Sequence, residues 1–174
     1  VEEAIKLFAT VDAAQLPTRM QHDYCAAYLD FFGDKPTKAR EIAIEHLLPQ
    51  ASRHDKNHTY NEDAMRAAAE TGLLGTWIPK EYGGQDAGVL NLCLIVEQLS
   101  RACGGVGVAF AVNALGSFPI LLGGTDEQKE RWLPRLAAGE AIGAFGLTEP
   151  DHGSDPSSMA TRARRDGEGY VLDG

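Results

Sequence analysis

Cysteine is scarce in this sequence: Cys25, Cys93 and Cys103 are the only three in 174 residues, an odd number without metal-ligand spacing. That excludes a disulfide framework and a cysteine-bound zinc site. Cys93 and Cys103 stand in apolar surroundings and are expected to be reduced core residues, which implies a reducing compartment. Positive charge is short as well, with 16 lysines and arginines against 25 aspartates and glutamates, a net charge of −9. A nucleic-acid backbone or an anionic membrane surface is repelled at long range, and a polyanionic ligand would need locally placed donors. No apolar run approaches the ~20 residues that span a bilayer, so membrane insertion is not expected. No basic stretch leads into an apolar segment at the N-terminus, so no signal peptide is expected either. The first residue is valine rather than methionine, and internal repeats and low-complexity tracts are lacking.

What is present is an ordinary soluble composition, 44% hydrophobic and 24% charged, in a chain long enough for one domain with a real core plus part of another. Residues 1–15 (VEEAIKLFATVDAAQ) place Ala4, Ile5, Leu7, Phe8 and Val11 near helical spacing, and Leu16-Pro17 ends the pattern. Residues 19–32 predict a second helix with an aromatic stripe of Tyr24, Tyr28, Phe31 and Phe32, read as core packing. Residues 33–36 (GDKP) are a stop signal and the expected linker. From Thr37, an expected N-cap, a long amphipathic helix runs with Ala39, Ile42, Ala43, His46 and Leu47 on one face, to be kinked or restarted at Pro49. His54 and His58 have the i, i+4 spacing of two metal ligands. With no third ligand and no acid of an H-E-x-x-H motif, they are read as a solvated helix end.

Asn61 is the expected N-cap of a helix over 62–70, which Gly72 ends. The irregular run 73–82 (LLGTWIPKEY) should bury Trp77, Ile78 and Pro79 in the domain floor. Residues 90–102 predict an apolar helix with a Glu97–Arg101 ion pair in the favourable order. Residues 106–122 (VGVAFAVNALGSFPILL) are apolar all round and predict a buried helix, interrupted at Pro119, in which Gly107 and Gly116 admit close approach. Thr125 and Gln128 predict a capping box at the head of TDEQKERWLPRLAAGE. Strands are expected over 142–148, 160–165 and 170–172, the last two joined by a turn at 166–169 (DGEG).

The stretch 144–159 (AFGLTEPDHGSDPSSM) concentrates the chemistry. It starts as an alternating strand, ends at Glu149-Pro150, and continues into turn formers and hydroxyls whose exposed N–H groups suit a phosphate or a polar cofactor edge. From the residues alone it reads as an ordinary strand-to-loop connection. The string also resembles the flavin-binding signature of the acyl-CoA dehydrogenase family, a threonine in an L-T-E-P context followed by G-S-D, and its continuation DPSSMATRA is most similar to the glutaryl-CoA dehydrogenase branch. The resemblance covers roughly 37–174, through WIPKEYGG, the helix around Asn113-Ala114-Leu115-Gly116 and the capped segment at Thr125.

That resemblance implies a mainly α chain: a helical extension over 1–36, the family's N-terminal α-helical domain over 37–140, and over 141–174 the first strands of an incomplete β-barrel-like middle domain. It implies flavin-dependent α,β-desaturation of an acyl-CoA, in which a carboxylate base takes the α-proton and the β-hydrogen leaves as hydride to the flavin. FAD is the implied cofactor. Phe145, Gly146, Leu147 and Thr148 would line the isoalloxazine, with Thr148 near N5 and O2. Gly153 and Ser154 would meet the diphosphate, and Ser154 also the edge of the substrate. Asp155 is read as a loop cap and Glu149 as a structural acceptor, while His152 stands where the family has a small residue and is read either as a solvated side chain or as one within reach of a CoA phosphate. The family's general-base glutamate is expected in a C-terminal domain outside these residues. Glutaryl-specific members carry an arginine-serine pair where this chain has Val106 and Gly107, which argues against a dicarboxylyl substrate. An electron-transfer flavoprotein as acceptor, a homo-oligomeric dimer or tetramer, and a cytoplasmic or mitochondrial-matrix location are implied too. The alternatives are an acyl-CoA oxidase, a nitroalkane-oxidase-like enzyme, or a non-catalytic subunit.

Overall fold

The computed structural model describes residues 34–174. The helices expected over 1–15 and 19–32, and Cys25, lie outside the described residues. The chain is mainly α and divides into two units, one ending at Gly143 and the other spanning Ala144–Gly174.

Helix α1, Asp34–Ile42, begins before Thr37, which is therefore not its N-cap. The GDKP stretch does not act as a linker throughout, because Asp34 to Pro36 form the first turn. A proline is tolerated there since the first N–H groups of a helix have no intrahelical acceptor. The helix widens into a π segment, Ala43–Leu47, closed by the Leu48 N–H donating to the Ala43 carbonyl at 2.9 Å. Pro49 then stops it, and α2, Ala51–Asn57, restarts and ends at His58 in the left-handed region (φ 52°). Ala39, Ile42, Ala43 and Leu47 are buried along one face, with His46 half-buried beside them.

Helix α3, Glu62–Glu70, is capped as its sequence predicts: Asn61 Oδ1 accepts from the Ala64 N–H at 3.0 Å. The irregular run that follows makes two 3-10 turns, Leu73–Gly75 and Lys80–Tyr82, with Trp77 and Ile78 buried between them. Pro79 is only half-buried.

Helix α4, Gly88–Ala102, turns Leu92, Ile95 and Leu99 inward, a spacing of three and four that defines one face. Cys93 falls on the opposite face and is exposed, so it is not a core residue; Cys103 is half-buried against the core. Its neighbours Leu92 and Leu94 are apolar and buried, which hides the helical phase of Cys93 from a linear reading. The expected Glu97–Arg101 pair does not form either. Arg101 Nη1 donates to Gln98 Oε1 at 3.3 Å, because Gln98 is buried and its oxygen needs a donor. An unsatisfied buried acceptor costs about 1–3 kcal/mol, more than the few tenths an exposed i, i+4 pair contributes.

Helix α5, Gly104–Gly123, has 20 residues and no charged side chain. By length and composition alone it is long and apolar enough to cross a membrane, which corrects the expectation that no such run exists. It is not buried all round. One stripe packs inward, including Val106, Phe110, Asn113, Ala114 and Ser117, while Val108 (63%), Leu115 (44%) and Leu122 (83%) remain exposed. Nor does Pro119 interrupt it; the helix runs through. Gly107 lies so close to α4 that a Cβ there would stand 3.0 Å from Ser100 Cβ and 3.2 Å from its Cα. Helix α6, Asp126–Ala137, carries the full capping box, with Thr125 N–H donating to Gln128 Oε1 at 2.9 Å and Gln128 N–H to Thr125 Oγ1 at 3.3 Å.

Two segments are tied to α5 by polar bonds inside this core. Trp77 Nε1–H donates to Ser117 Oγ at 2.7 Å, and the Trp77 ring meets Phe110 edge-on, centroids 5.9 Å apart. The other bond joins Asn113 to Gly143.

In the second unit, β1 (Arg162–Asp166) and β2 (Gly169–Asp173) form an antiparallel hairpin from Arg162↔Asp173 to Asp166↔Gly169. Gly167 takes φ 60° as the first residue of the two-residue loop, which a side chain would resist. The strand expected over 142–148 is not formed. Alternation sets which way side chains point, but a strand also needs a partner, and β1 and β2 pair only with each other among the described residues.

Replacing Ser117 by alanine leaves the Trp77 N–H buried without an acceptor and should lower unfolding stability by about 1–3 kcal/mol. Urea denaturation followed by tryptophan fluorescence reads this directly, and an unchanged midpoint would remove the bond from the account of the core.

Candidate functional site

The candidate site begins where the last fixed backbone of the helical unit ends. Gly143 N–H donates to Asn113 Oδ1 at 2.9 Å. From Ala144 to Thr148 no backbone group makes a hydrogen bond among the described residues, and the side chains of Phe145, Leu147 and Thr148 are exposed. Five consecutive residues therefore present unpaired N–H and C=O groups, the feature a polar planar ligand would use.

Glu149 stops that freedom. Its N–H donates to the His152 carbonyl at 2.8 Å and its carbonyl accepts from the His152 N–H at 3.3 Å, closing a four-residue turn around Pro150 and Asp151. Its carboxylate reaches eleven and twelve residues ahead, accepting from the Ala160 N–H at 2.7 Å and the Thr161 N–H at 2.8 Å. The Thr161 hydroxyl and then these two amides hold the Glu149 carboxyl below the usual glutamate range, since each bond favours the charged form. Glu149 is thus the structural acceptor its sequence context implies.

Asp155 caps the 3-10 turn Pro156–Ser158, accepting from the Ser157 N–H at 3.2 Å and from the hydroxyls of Ser157 and Ser158. Those hydroxyls, with the Ser157 amide, pull its carboxyl down as well. Of the residues expected at the cofactor, the structure brings Thr148 and Gly153 together: a Cβ on Gly153 would meet the Thr148 methyl at 3.7 Å. Gly146 faces open space where its Cβ would be, so no packing among the described residues requires a glycine there. Ser154 is exposed.

A sequence reading misses Asn113 as part of this region. Its one signal is a single asparagine amid an apolar run, thirty residues before the glycine it holds. The His54 and His58 pair is a helix end as expected, with His58 in the left-handed C-cap and His54 Nδ1 hydrogen-bonded to Thr59 Oγ1 at 2.8 Å. No cluster of three or more His, Cys, Asp or Glu side chains suited to a metal occurs among the described residues.

The folded carboxyl of Glu149 titrates below its ordinary value of 4.5, so the clasp is in place above that pH and opens as pH falls through the lower value. The Ala160 and Thr161 amide proton shifts should move together with a midpoint below 4.5 and should lose that titration in Glu149→Gln. A midpoint at or above 4.5 would contradict the clasp.

The family model for the acyl-CoA dehydrogenase N-terminal domain matches residues 36–140. The chain is similar to a 3-(aryl)acrylate reductase of Clostridium sporogenes, 41% identical over 137 residues, which are 78% of this chain and 36% of that protein. It is 38% identical over 136 residues to the mitochondrial short-chain specific acyl-CoA dehydrogenase of Bos taurus, covering 78% of this chain and 33% of that one. Among solved structures it is similar to an acyl-CoA dehydrogenase from Bacillus anthracis complexed with FAD, at a TM-score of 0.72 and 37% identity over 80% of this chain and 24% of that chain. The chain spans about a third of the length of the curated relatives it matches.

Proposed function

The chain belongs to the acyl-CoA dehydrogenase family, and from that premise we propose that it supplies the helical domain and one wall of an FAD and acyl-CoA pocket for α,β-dehydrogenation of a short or medium acyl thioester. The observation that carries this reading is the Ala144–Thr148 segment, five residues without hydrogen-bonded backbone, beside a glycine that meets Thr148 and a second glycine facing open space. A flat, polar-edged ring fits such a wall. When bound, FAD supplies the two-electron acceptor for the hydride leaving the β-carbon.

The chain's own residues orient and bind. The Thr148 hydroxyl and N–H donate to the polar edge of the ring, Phe145 and Leu147 give it apolar contact, and Gly146 lets it approach the backbone. Gly153 and Ser154 take the diphosphate with backbone N–H groups and a hydroxyl, and Ser154 also borders the substrate. The proposal assigns no general base among these residues. Glu149, the acid nearest the segment, already spends its carboxylate on two amides and is held in its charged form by them. Electrons leave to an electron-transfer flavoprotein. A dicarboxylyl thioester is disfavoured: position 107 is a glycine packed against Ser100 and Val106 is a buried valine, so neither of these two positions offers a guanidinium. The likeness to the 3-(aryl)acrylate reductase supports a second reading, in which the same carbon–carbon bond is handled in the saturating direction.

Thr148→Ala should slow anaerobic flavin reduction by an acyl-CoA about tenfold, the weight of one hydrogen bond of about 1.4 kcal/mol. Unchanged reduction kinetics by stopped-flow absorbance would refute the assignment of Thr148. Ser154→Ala should weaken FAD retention and raise KM, and if both stay at their original values Ser154 has no place in the pocket. Reduction by an enoyl thioester's saturated partner, set against oxidation by the enoyl form, separates the two directions.

A further inference from the structure

We infer that Asn113 is a positioning residue for the cofactor segment: it fixes the backbone at Gly143, one residue before Ala144–Thr148. The inference rests on the assignment of that segment to FAD and adds a residue to it.

Asn113 is 3% exposed on the inward stripe of a helix without charged residues. Its Nδ2 is satisfied within α5 by the Ala109 carbonyl at 3.0 Å. Its Oδ1 accepts from outside the helix, and the donor is the Gly143 N–H at 2.9 Å. Leaving that oxygen bare would be costly, so the bond is enforced from the helix side. The approach is equally specific from the other side. A Cβ on residue 143 would stand 3.2 Å from the Asn113 carbonyl oxygen, 3.3 Å from its Cα and 3.5 Å from Gly116 Cα. Two of these contacts are tighter than side chains usually make, so a Cβ there would push the two backbones apart by a few tenths of an ångström, while Gly116, one turn on, brings no side chain of its own to the contact.

Downstream, Glu149 is the next residue with a hydrogen-bonded backbone. The Gly143 bond therefore fixes the point from which the five residues between leave the helical unit. Sites that bind through backbone donors lose function when displaced by a fraction of an ångström, so the upstream tether is part of the binding geometry.

The test uses the full chain with Asn113→Leu, Gly143→Ala and the double variant. Three quantities are read: hydrogen exchange of the peptide covering 143–148, FAD affinity by fluorescence titration, and thermal midpoint. Asn113→Leu keeps the branched side-chain shape and heavy-atom count and removes the acceptor; Gly143→Ala leaves α5 intact and pushes the backbone away, so one variant remains informative if the other misfolds. Each should raise exchange over 143–148 and weaken FAD binding about 3- to 10-fold, the range for one hydrogen bond. The double variant should bind no worse than the weaker single one, because both break the same tether. Equal FAD affinity in the variants and the unsubstituted chain, with only the midpoint lowered, would make Asn113 a core residue and overturn its positioning role. Additive losses in the double variant would overturn it too. Failure of the unsubstituted chain to bind FAD would overturn the cofactor assignment itself and this role with it, a result distinguishable from the others at the first titration.

Discussion

A helix of twenty residues without a charge can slide and rotate against an apolar neighbour at little energetic loss unless something polar fixes it. Helix α5 is fixed by two side chains that cannot be left unsatisfied in its core, Ser117 and Asn113, each bonded to a segment far away in sequence. Ser117 takes the Trp77 indole from the irregular run between α3 and α4, and Asn113 takes the Gly143 amide beyond α6. Apolar burial supplies most of the driving force for packing, but it is non-directional. The two polar bonds choose one rotation and one height for the helix, and the close contact of Gly107 with Ser100 sets its distance from α4. The placement of everything joined to that helix depends on them.

The features a linear reading recovers are those decided within a few residues. The Asn61 cap, the Thr125–Gln128 box, the restart after Pro49 and the Gly167 turn each need only neighbours three or four positions away. What it misreads depends on competition or on distant partners. Glu97 and Arg101 have ideal spacing, but buried Gln98 takes the arginine first. Cys93 sits among leucines in sequence and away from them in space. Pro119 breaks a helix by local rule, yet tertiary packing carries α5 through it. Residues 142–148 alternate as a strand does, but the ladder that makes a strand is a property of two segments, and only one is described. The family likeness ran through both the helix around Asn113 and the stretch 144–159, but the bond from Asn113 to Gly143 joins residues thirty positions apart and is visible only in three dimensions.

The second unit is built on a different logic, since it buries no side chain of its hairpin. Without apolar burial its shape has to come from charged and hydroxyl groups acting on nearby amides. Glu149 binds two N–H groups across the loop, and Asp155 gathers two serine hydroxyls and an amide. Charge-assisted bonds of this kind are stronger than neutral ones and keep their geometry near solvent. They also explain why neither acid is suited to proton transfer. A carboxylate held in its ionised form by several donors is a poor base for an acidified carbon, because every bond that lowers its pKa weakens its hold on a proton. The loop's acids shape it, while the backbone of Ala144–Thr148 makes no hydrogen bond among the described residues.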